Sequence, residues 1–462
     1  MGIFIDEKER SLTQNERDHH RQKFRDNFDS TIPKHIESLD TNGRPLFGIE
    51  VEYHIVNSNG DIIPHSAQKL LSQNPSAVGE AVNFQLELVS NPNSLQNPIA
   101  CLEEMVSSEE KLMASTKSTV DGSLLPMGVL PTFPTSMRLS EFASDTIRSK
   151  TIRDYIEQHM KPKPLTVLSS RYDDLIFGRV NGAGLINELH INISGCNDAQ
   201  STRLFNIASA LSGPLVALSA NSTALNREIL RDEDSQISIY EQNIEENSLG
   251  VPRVGLFPYI NNLEEYFKIA SDFQPIFRFN EDDPMKSYTT HYSTIWPWVK
   301  AHVADFQRVE IRSISKQPTV LEDMAVTTFY LYSLLSLNEE FEKTQSDDKD
   351  MYSLLLVPED RLNKNLRLAA ADGYDAQLHW GRSIHSAGKI LHHLYEKAVS
   401  YVDRHDIDPS VKDLLTIVGS RLISQLNPAR VFRKDVVANG FDRALENYMD
   451  HTQNKKDIPY SG

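Results

Sequence analysis

Four segments of the sequence place carboxylates, imidazoles and guanidinium groups at every second position. Residues 46–56 read Leu-Phe-Gly-Ile-Glu-Val-Glu-Tyr-His-Ile-Val, so Glu50, Glu52 and His54 alternate with Ile49, Val51 and Tyr53. Residues 83–88 alternate Asn83, Gln85 and Glu87 with Phe84, Leu86 and Leu88. Glu188, His190 and Asn192 alternate with Leu189, Ile191 and Ile193 over 185–194, and Arg308, Glu310 and Arg312 with Val309 and Ile311 over 308–312. Side chains two apart on a strand share a face. Carboxylates gathered on one face repel unless cations neutralise them. Mg²⁺ and Mn²⁺ are hard cations that take such oxygens. A guanidinium beside them can hold phosphate oxygens and stabilise charge that develops there. The set therefore points to divalent metal and a phosphate-bearing substrate. Each piece alone has a blander reading: a solvated strand edge for Glu50 and Glu52, an ion pair for Glu310 and Arg312, a half-buried histidine for His190. His54 could equally mark the exposed end of its strand.

The elements that must position these residues follow from the same periodicities. Beyond the strands, Ile99, Leu102, Met105, Leu112 and Met113 predict an amphipathic helix over 99–118. Residues 124–130 read as a buried strand broken by Pro126, and a helix is expected around 150–160. Asp198 is a candidate N-cap for an apolar helix from 199 to about 220. Residues 225–262 are charged and read as an active-site loop region. Thr319 and Glu322 form a capping-box pattern that opens a helix to about 337, residues 342–350 read as an acidic loop, and 357–451 as nearly all helical. The fold class expected is α+β: a curved, mostly antiparallel sheet with helices on its outer face and a helical C-terminal part. Three regions follow: a polar N-terminal arm over 1–45 ended by the turn at 40–45, a catalytic sheet domain for metal and a phosphate-bearing substrate over 46–340, and a helical region over 351–462 packed on it.

Composition narrows the function classes. The 462 residues carry a net charge of −17, which argues against a nucleic-acid partner. Two cysteines, Cys101 and Cys196, supply no disulfide framework and no zinc set, and suit a reducing cytoplasm. The start has no signal-peptide core, and no run is apolar enough to span a membrane. There is no Gly-x-x-x-x-Gly-Lys-Ser/Thr phosphate loop, no Gly-x-Gly-x-x-Gly and no Gly-x-Ser-x-Gly; the glycine-rich stretch 178–184 precedes a strand and reads as a loop. Arg227 and Arg231 follow the long helix and could reach ATP phosphate or a substrate carboxylate; a solvated loop is the other reading.

The order of motifs is itself informative. Gly48-Ile-Glu-Val-Glu-Tyr is followed by Gln85-Leu-Glu-Leu-Val-Ser-Asn-Pro, Glu188-Leu-His-Ile-Asn-Ile, the helix ending Ala217-Leu-Ser-Ala-Asn-Ser, Val309-Glu-Ile-Arg, and Asn365-Leu-Arg-Leu-Ala-Ala-Ala-Asp-Gly-Tyr-Asp-Ala. Over roughly 46–375 this resembles the type-2 glutamate–cysteine ligase family, the carboxylate–amine ligases of glutamine-synthetase-like fold. The resemblance implies that Glu50, Glu52, Glu87, Glu188, His190 and Glu310 hold Mg²⁺ or Mn²⁺ around ATP. It puts Arg312 against phosphate; Arg312 and Arg227 are the residues expected to act in catalysis, and Arg312, Arg227, Arg231 and Asn192 those expected at the nucleotide. It implies amide formation from an amino-acid carboxylate and an amine through an acyl phosphate, with glutamate and cysteine as the default pair and another amine, or another amino-acid carboxylate, as the alternative. A guanidino kinase and a non-catalytic ligand-binding protein are the rivals. A homo-oligomer, a dimer, is expected. The chain departs from the family's pattern where Asn226-Arg-Glu-Ile-Leu-Arg replaces Gly-Arg-Asp-Thr-Gly, where a later arginine is missing from Ser238-Ile-Tyr-Glu-Gln, and where Gly128-Val-Leu-Pro-Thr lacks a histidine.

Overall fold

Strand β1 (Leu46–Val56) organises the molecule, because its alternation gives it one charged and one apolar face. The computed structural model describes residues 12–39, 45–137, 139–156, 165–171, 173–177, 182–243, 247–248, 251–303, 307–344 and 348–454. Around β1 stand β2 (Ala77–Gly79), β3 (Gln85–Val89), β4 (Asn93–Ser94), β5 (Ser123–Leu125), β6 (Glu188–Ser194), β7 (Val299–Val303) and β8 (Gln307–Ser315). They form one open sheet in the order β7-β8-β6-β1-β3-β2, with β4 and β5 also pairing to β1. All its pairings are antiparallel. The register sets Glu52 opposite Glu87, Glu50 opposite His190 and Asn192 opposite Glu310. A bulge between Ile311 and Ile314 interrupts β8 at Arg312, a device that re-aims a side chain.

The other face is the core. Ile49, Val51, Tyr53, Leu86, Leu88, Leu189, Ile191, Ile193, Val309 and Ile311 are at most 1% exposed. The helices Pro98–Val120 and Asp198–Ser219 pack on the sheet, and Val320–Thr344 packs against both. Asn197, not Asp198, caps the middle one: its backbone is extended and its side chain accepts from the Gln200 amide, which leaves Asp198 as the first helical residue. The Thr319 hydroxyl accepts from the Glu322 amide, as an N-cap does, and donates to the Glu322 carboxylate. That helix runs to Thr344 rather than 337, because Phe341 extends its buried stripe, and so it crosses the boundary drawn at 340.

Helices Ala387–Arg404 and Val411–Ser424 pack on Val320–Thr344. The hairpin Gln377–Trp380/Ser383–Ser386 interrupts the stretch expected to be helical. Residues 124–130 give only the short β5, since Pro126 cannot continue the ladder. The helix expected near 150–160 spans Ile147–Tyr155, with 157–160 outside the described residues. The loop region 225–262 contains the helix Ser235–Asn243. No described helix is long and apolar enough to cross a membrane.

The polar lead-in is a docked helix over its middle, Gln14–Ser38, while 1–11 and the turn at 40–44 lie outside the described residues. Phe24, Phe28, Ile32 and Ile36 recur every four residues and are buried; the helix packs on Leu263–Ser271 and Pro284–Tyr292. Phe24 meets the Phe279 ring edge-on at 4.9 Å and stacks on His291 at 4.5 Å. Phe24→Ala is expected to cost about 3 kcal/mol in urea unfolding. A loss below about 0.5 kcal/mol, the scale of surface substitutions, contradicts this docking.

Candidate active site

The sheet register brings the charged positions of separate strands into one row. His190 stands at its centre. Its Nδ1 lies 3.2 Å from Glu50 Oε2, 3.5 Å from Glu87 Oε1 and 3.7 Å from Glu310 Oε1, and its Nε2 lies 2.7 Å from Glu188 Oε2. Glu52 accepts from the Glu188 amide at 2.9 Å and from Gln85 Nε2 at 3.4 Å. Asn192 donates to Glu50 Oε1 at 3.0 Å. Arg312 closes the row: Nη1 donates to Glu310 Oε1 at 2.5 Å and Nη2 to Glu188 Oε2 at 3.3 Å, while its buried Nε has no hydrogen-bond partner among the described residues. The structure thus gathers Glu50, Glu52, Glu87, Glu188, His190, Asn192, Glu310 and Arg312.

Their protonation follows from crowding. Burial, then the charges of Glu80, Glu188 and Glu87, push the Glu52 carboxyl well up against the pull of His190. Burial and the Glu50 charge push Glu87 up to about 8. Glu50 goes the other way: burial opposes it, but the His190 hydrogen bond and charge bring it down to about 2. On Glu310 burial is likewise outweighed, by Arg312 and His302, and its carboxyl is held well below the usual range. His190 is raised well above its ordinary value: burial and Arg312 oppose its charge, and the bonds to Glu188, Glu50 and Glu87 prevail. Without a metal the row is therefore held by an imidazolium, a guanidinium and shared protons.

Further groups surround the row that the sequence reading did not single out. Lys300 lies opposite Glu310 on β7, and burial brings it down to about 7. His302 bonds Glu310 Oε2. The signal for both was present, since Val299-Lys-Ala-His-Val alternates like the other strands. Glu80, Arg148 and Tyr240 act electrostatically on the row from a loop and two helices, and no local pattern marks them.

Three expectations are corrected. Arg227 and Arg231 are committed elsewhere. Arg227 stands at a positive φ of 58° in a tight hairpin turn and pairs with Asp61 at 2.8 Å and Asp442 at 2.7 Å. Arg231 pairs with Asp232 at 3.1 Å and Asp372 at 3.6 Å. His54 is fully buried instead of marking an exposed end. Its Nδ1 accepts from Asn187 Nδ2 at 2.8 Å and its Nε2 donates to Gly184 O at 3.2 Å, so burial keeps the ring neutral and brings it down to about 3. Of the glycine-rich stretch, 178–181 lie outside the described residues, and Gly182–Leu185 is a 3₁₀ turn.

Two ligand sets suit a hard divalent cation. Glu50, His190 and Glu310 form one and Glu52, Glu87 and His190 the other, each with ligand atoms within 4.8 Å of one another. Glu188 Oε1 and Asn192 Oδ1 are buried acceptors without a partner among the described residues, which a cation or its water would satisfy. Glu87 supplies a test. Its pKa in the folded chain, about 8, lies above the ordinary 4.5, so its contribution to stability is present at low pH and is lost as pH rises through 8. In EDTA, Glu87→Gln should gain at least about 1 kcal/mol of unfolding free energy relative to the parent between pH 5 and pH 9. Mn²⁺ should stabilise the parent more than the variant. No such gain together with equal Mn²⁺ effects would take Glu87 out of the site.

The sequence matches the model of glutamate-cysteine ligase family 2 over residues 46–385, well over half of the chain. The fold is similar to glutamate–cysteine ligase from Francisella tularensis in complex with AMP, at a TM-score of 0.59 and 14% identity over 90% of each chain. It is also similar to a bifunctional glutathione synthetase from Pasteurella multocida, at a TM-score of 0.56 and 12% identity over 92% of this chain and 54% of that one. At such identities these likenesses show a shared fold. No curated protein sequence matches. The extent of the family match carries the assignment, and the chain belongs to glutamate-cysteine ligase family 2, among the ATP-dependent carboxylate–amine ligases.

Proposed function

We propose that the protein joins glutamate, through its side-chain carboxylate, to the amine of cysteine while converting ATP to ADP and phosphate. The observation that carries this reading is the row of carboxylates centred on His190 and closed by Arg312. The family supports glutamate and cysteine as the pair. The donor carboxylate attacks the γ-phosphorus, the bond to the ADP oxygen breaks, and an acyl phosphate forms. The amine then attacks the acyl carbon, loses a proton, and expels phosphate.

A divalent cation held by Glu50, Glu52, Glu87, Glu188, His190 and Glu310 would, when bound, neutralise phosphate charge. The side chains do the rest by placement. Arg312 offers its Nε–H, which bonds no described residue, to the transferring oxygens, while Glu310 and Glu188 hold its fork in place and the bulge in β8 sets its direction. Asn192 holds Glu50 in line with His190. Gln85 and the Glu188 amide hold Glu52. Tyr240, whose ring meets Trp298 edge-on at 5.3 Å, gives the site an apolar wall that helps keep water from the acyl phosphate.

Two outcomes test the reading. With ¹⁸O in the glutamate side-chain carboxylate, one labelled oxygen should appear in the released phosphate. Label kept wholly in the amide, or AMP and pyrophosphate in place of ADP, contradicts the acyl-phosphate route. Arg312→Lys keeps the charge and loses the fork, so kcat should fall by a factor of about 100 or more, the size seen when one oxyanion donor is removed, with little change in the KM for ATP. A kcat within about twofold of the parent, far less than a charged hydrogen bond is worth, contradicts that role.

A further inference from the structure

The helix Ile147–Tyr155 connects the two ends of the sheet. The segment before it runs beside the β2–β3 connection: Ala143 bridges Val82, the Asn83 amide donates to Phe142 O at 2.8 Å, and the Ser144 amide donates to Ala81 O at 2.9 Å. Its far end meets the chain that leads into β7, and the Tyr155 ring also faces the guanidinium groups of Arg17 and Arg253. Tyr155 and Ile156 are buried with Ile276 and Phe277, and Trp296 packs on them. β2 and β7 are the opposite edges of the sheet. A helix tied to both must cross one face, and the core face is covered by the helices Pro98–Val120 and Asp198–Ser219. The crossing is therefore over the charged face.

Arg148 is the cation this helix holds over the row. Its guanidinium acts electrostatically on Glu80, Tyr240 and Arg312, and on Lys300 in turn. Among the described residues its hydrogen bonding is a single bond, from Nη2 to Ser293 O at 3.0 Å, and its Nε is buried without a partner. A guanidinium offers five N–H donors in a planar fork. Arg312, by contrast, is engaged by Glu310 and Glu188. A substrate carrying negative charge is repelled by the carboxylates of the row, so a cation with free donors on the opposite wall decides whether it can enter.

We propose that Arg148 binds the carboxylate substrate of the ligase, taking a carboxylate of the amino acid on its fork while the reacting carboxylate faces the ATP phosphates across the row. This rests on the ligase reading and assigns to one residue the recognition that the missing loop arginine leaves open. The fork geometry suits a carboxylate bidentately, which an ammonium does not reproduce.

The test uses the full chain with L-glutamate as probe. ADP release is followed with cysteine and Mg²⁺ for the parent, Arg148→Gln and Arg148→Lys. For Arg148→Gln the KM for L-glutamate should rise at least tenfold, with the KM for ATP within twofold. Arg148→Lys should fall between. An unchanged glutamate KM in folded Arg148→Gln, or equal rises in both KM values, overturns the proposal and leaves the ligase standing. If Arg148→Gln does not fold, Arg148→Lys decides: a threefold or larger rise confined to glutamate supports the proposal, and no rise overturns it. A parent protein that releases no ADP with glutamate or any other amino-acid carboxylate overturns the ligase reading itself and the proposal with it.

Discussion

The mutual repulsion of carboxylates fixed on one sheet face is the constraint on which the rest of the structure depends. Two unit charges 4 Å apart cost about 4 kcal/mol at the effective dielectric of a protein surface. Glu50, Glu87, Glu188 and Glu310 all lie within 4 Å of His190. They cannot move apart, because the antiparallel register is locked by the apolar face behind them. A slip of one residue would put every acid into the core and every isoleucine into the site. The core thus supplies the energy that holds the charges together, and the charges are relieved by His190, by Arg312, and by protons retained on Glu52 and Glu87. A metal that replaces those protons would release them, which links its binding to pH.

The remaining polar network serves to place what faces the row. Asn221, at the end of the helix Asp198–Ser219, donates to Pro126 O, to Lys316 O and to Tyr448 Oη, and so ties β8 to the C-terminal helix. Ser222 bonds Asp234, and Ser315 donates to Asp234 Oδ2 at 3.0 Å. These bonds fix the start of Ser235–Asn243, the helix that carries Tyr240. Arg433 reaches the carbonyls of Leu230, Arg231 and Asp232 from the helix Pro428–Asn439. The helical C-terminal part thereby holds the connection between the long helix and Tyr240, although it contributes no residue to the acid row.

The acid row was legible because a strand writes its two faces in alternate letters. Glu50, Glu52, Glu87, Glu188, His190, Glu310 and Arg312 could be read that way, and the same signal marks Lys300 and His302. Arg148, Glu80 and Tyr240 come from segments without a period-2 pattern, and only the tertiary path of their helices and loop brings them in. Arg227 and Arg231 illustrate the converse. Their types suit phosphate, but the hairpin turn at Asn226–Arg227 and the partners Asp61, Asp442, Asp232 and Asp372 hold them elsewhere. The buried stripe of Gln14–Ser38 is written at a spacing of four among so many charges that the segment reads as a polar arm.

The central claim is that this row is a divalent-cation site built around His190. It is tested most directly by anomalous diffraction from crystals grown with Mn²⁺ and a non-hydrolysable ATP analogue. The account predicts anomalous peaks ligated by Glu50, His190 and Glu310 and by Glu52 and Glu87, with the analogue's phosphates against them and Arg312. Nucleotide bound with its phosphates away from the row, or Mn²⁺ ligated by other residues while the row stays protonated and metal-free, would contradict it.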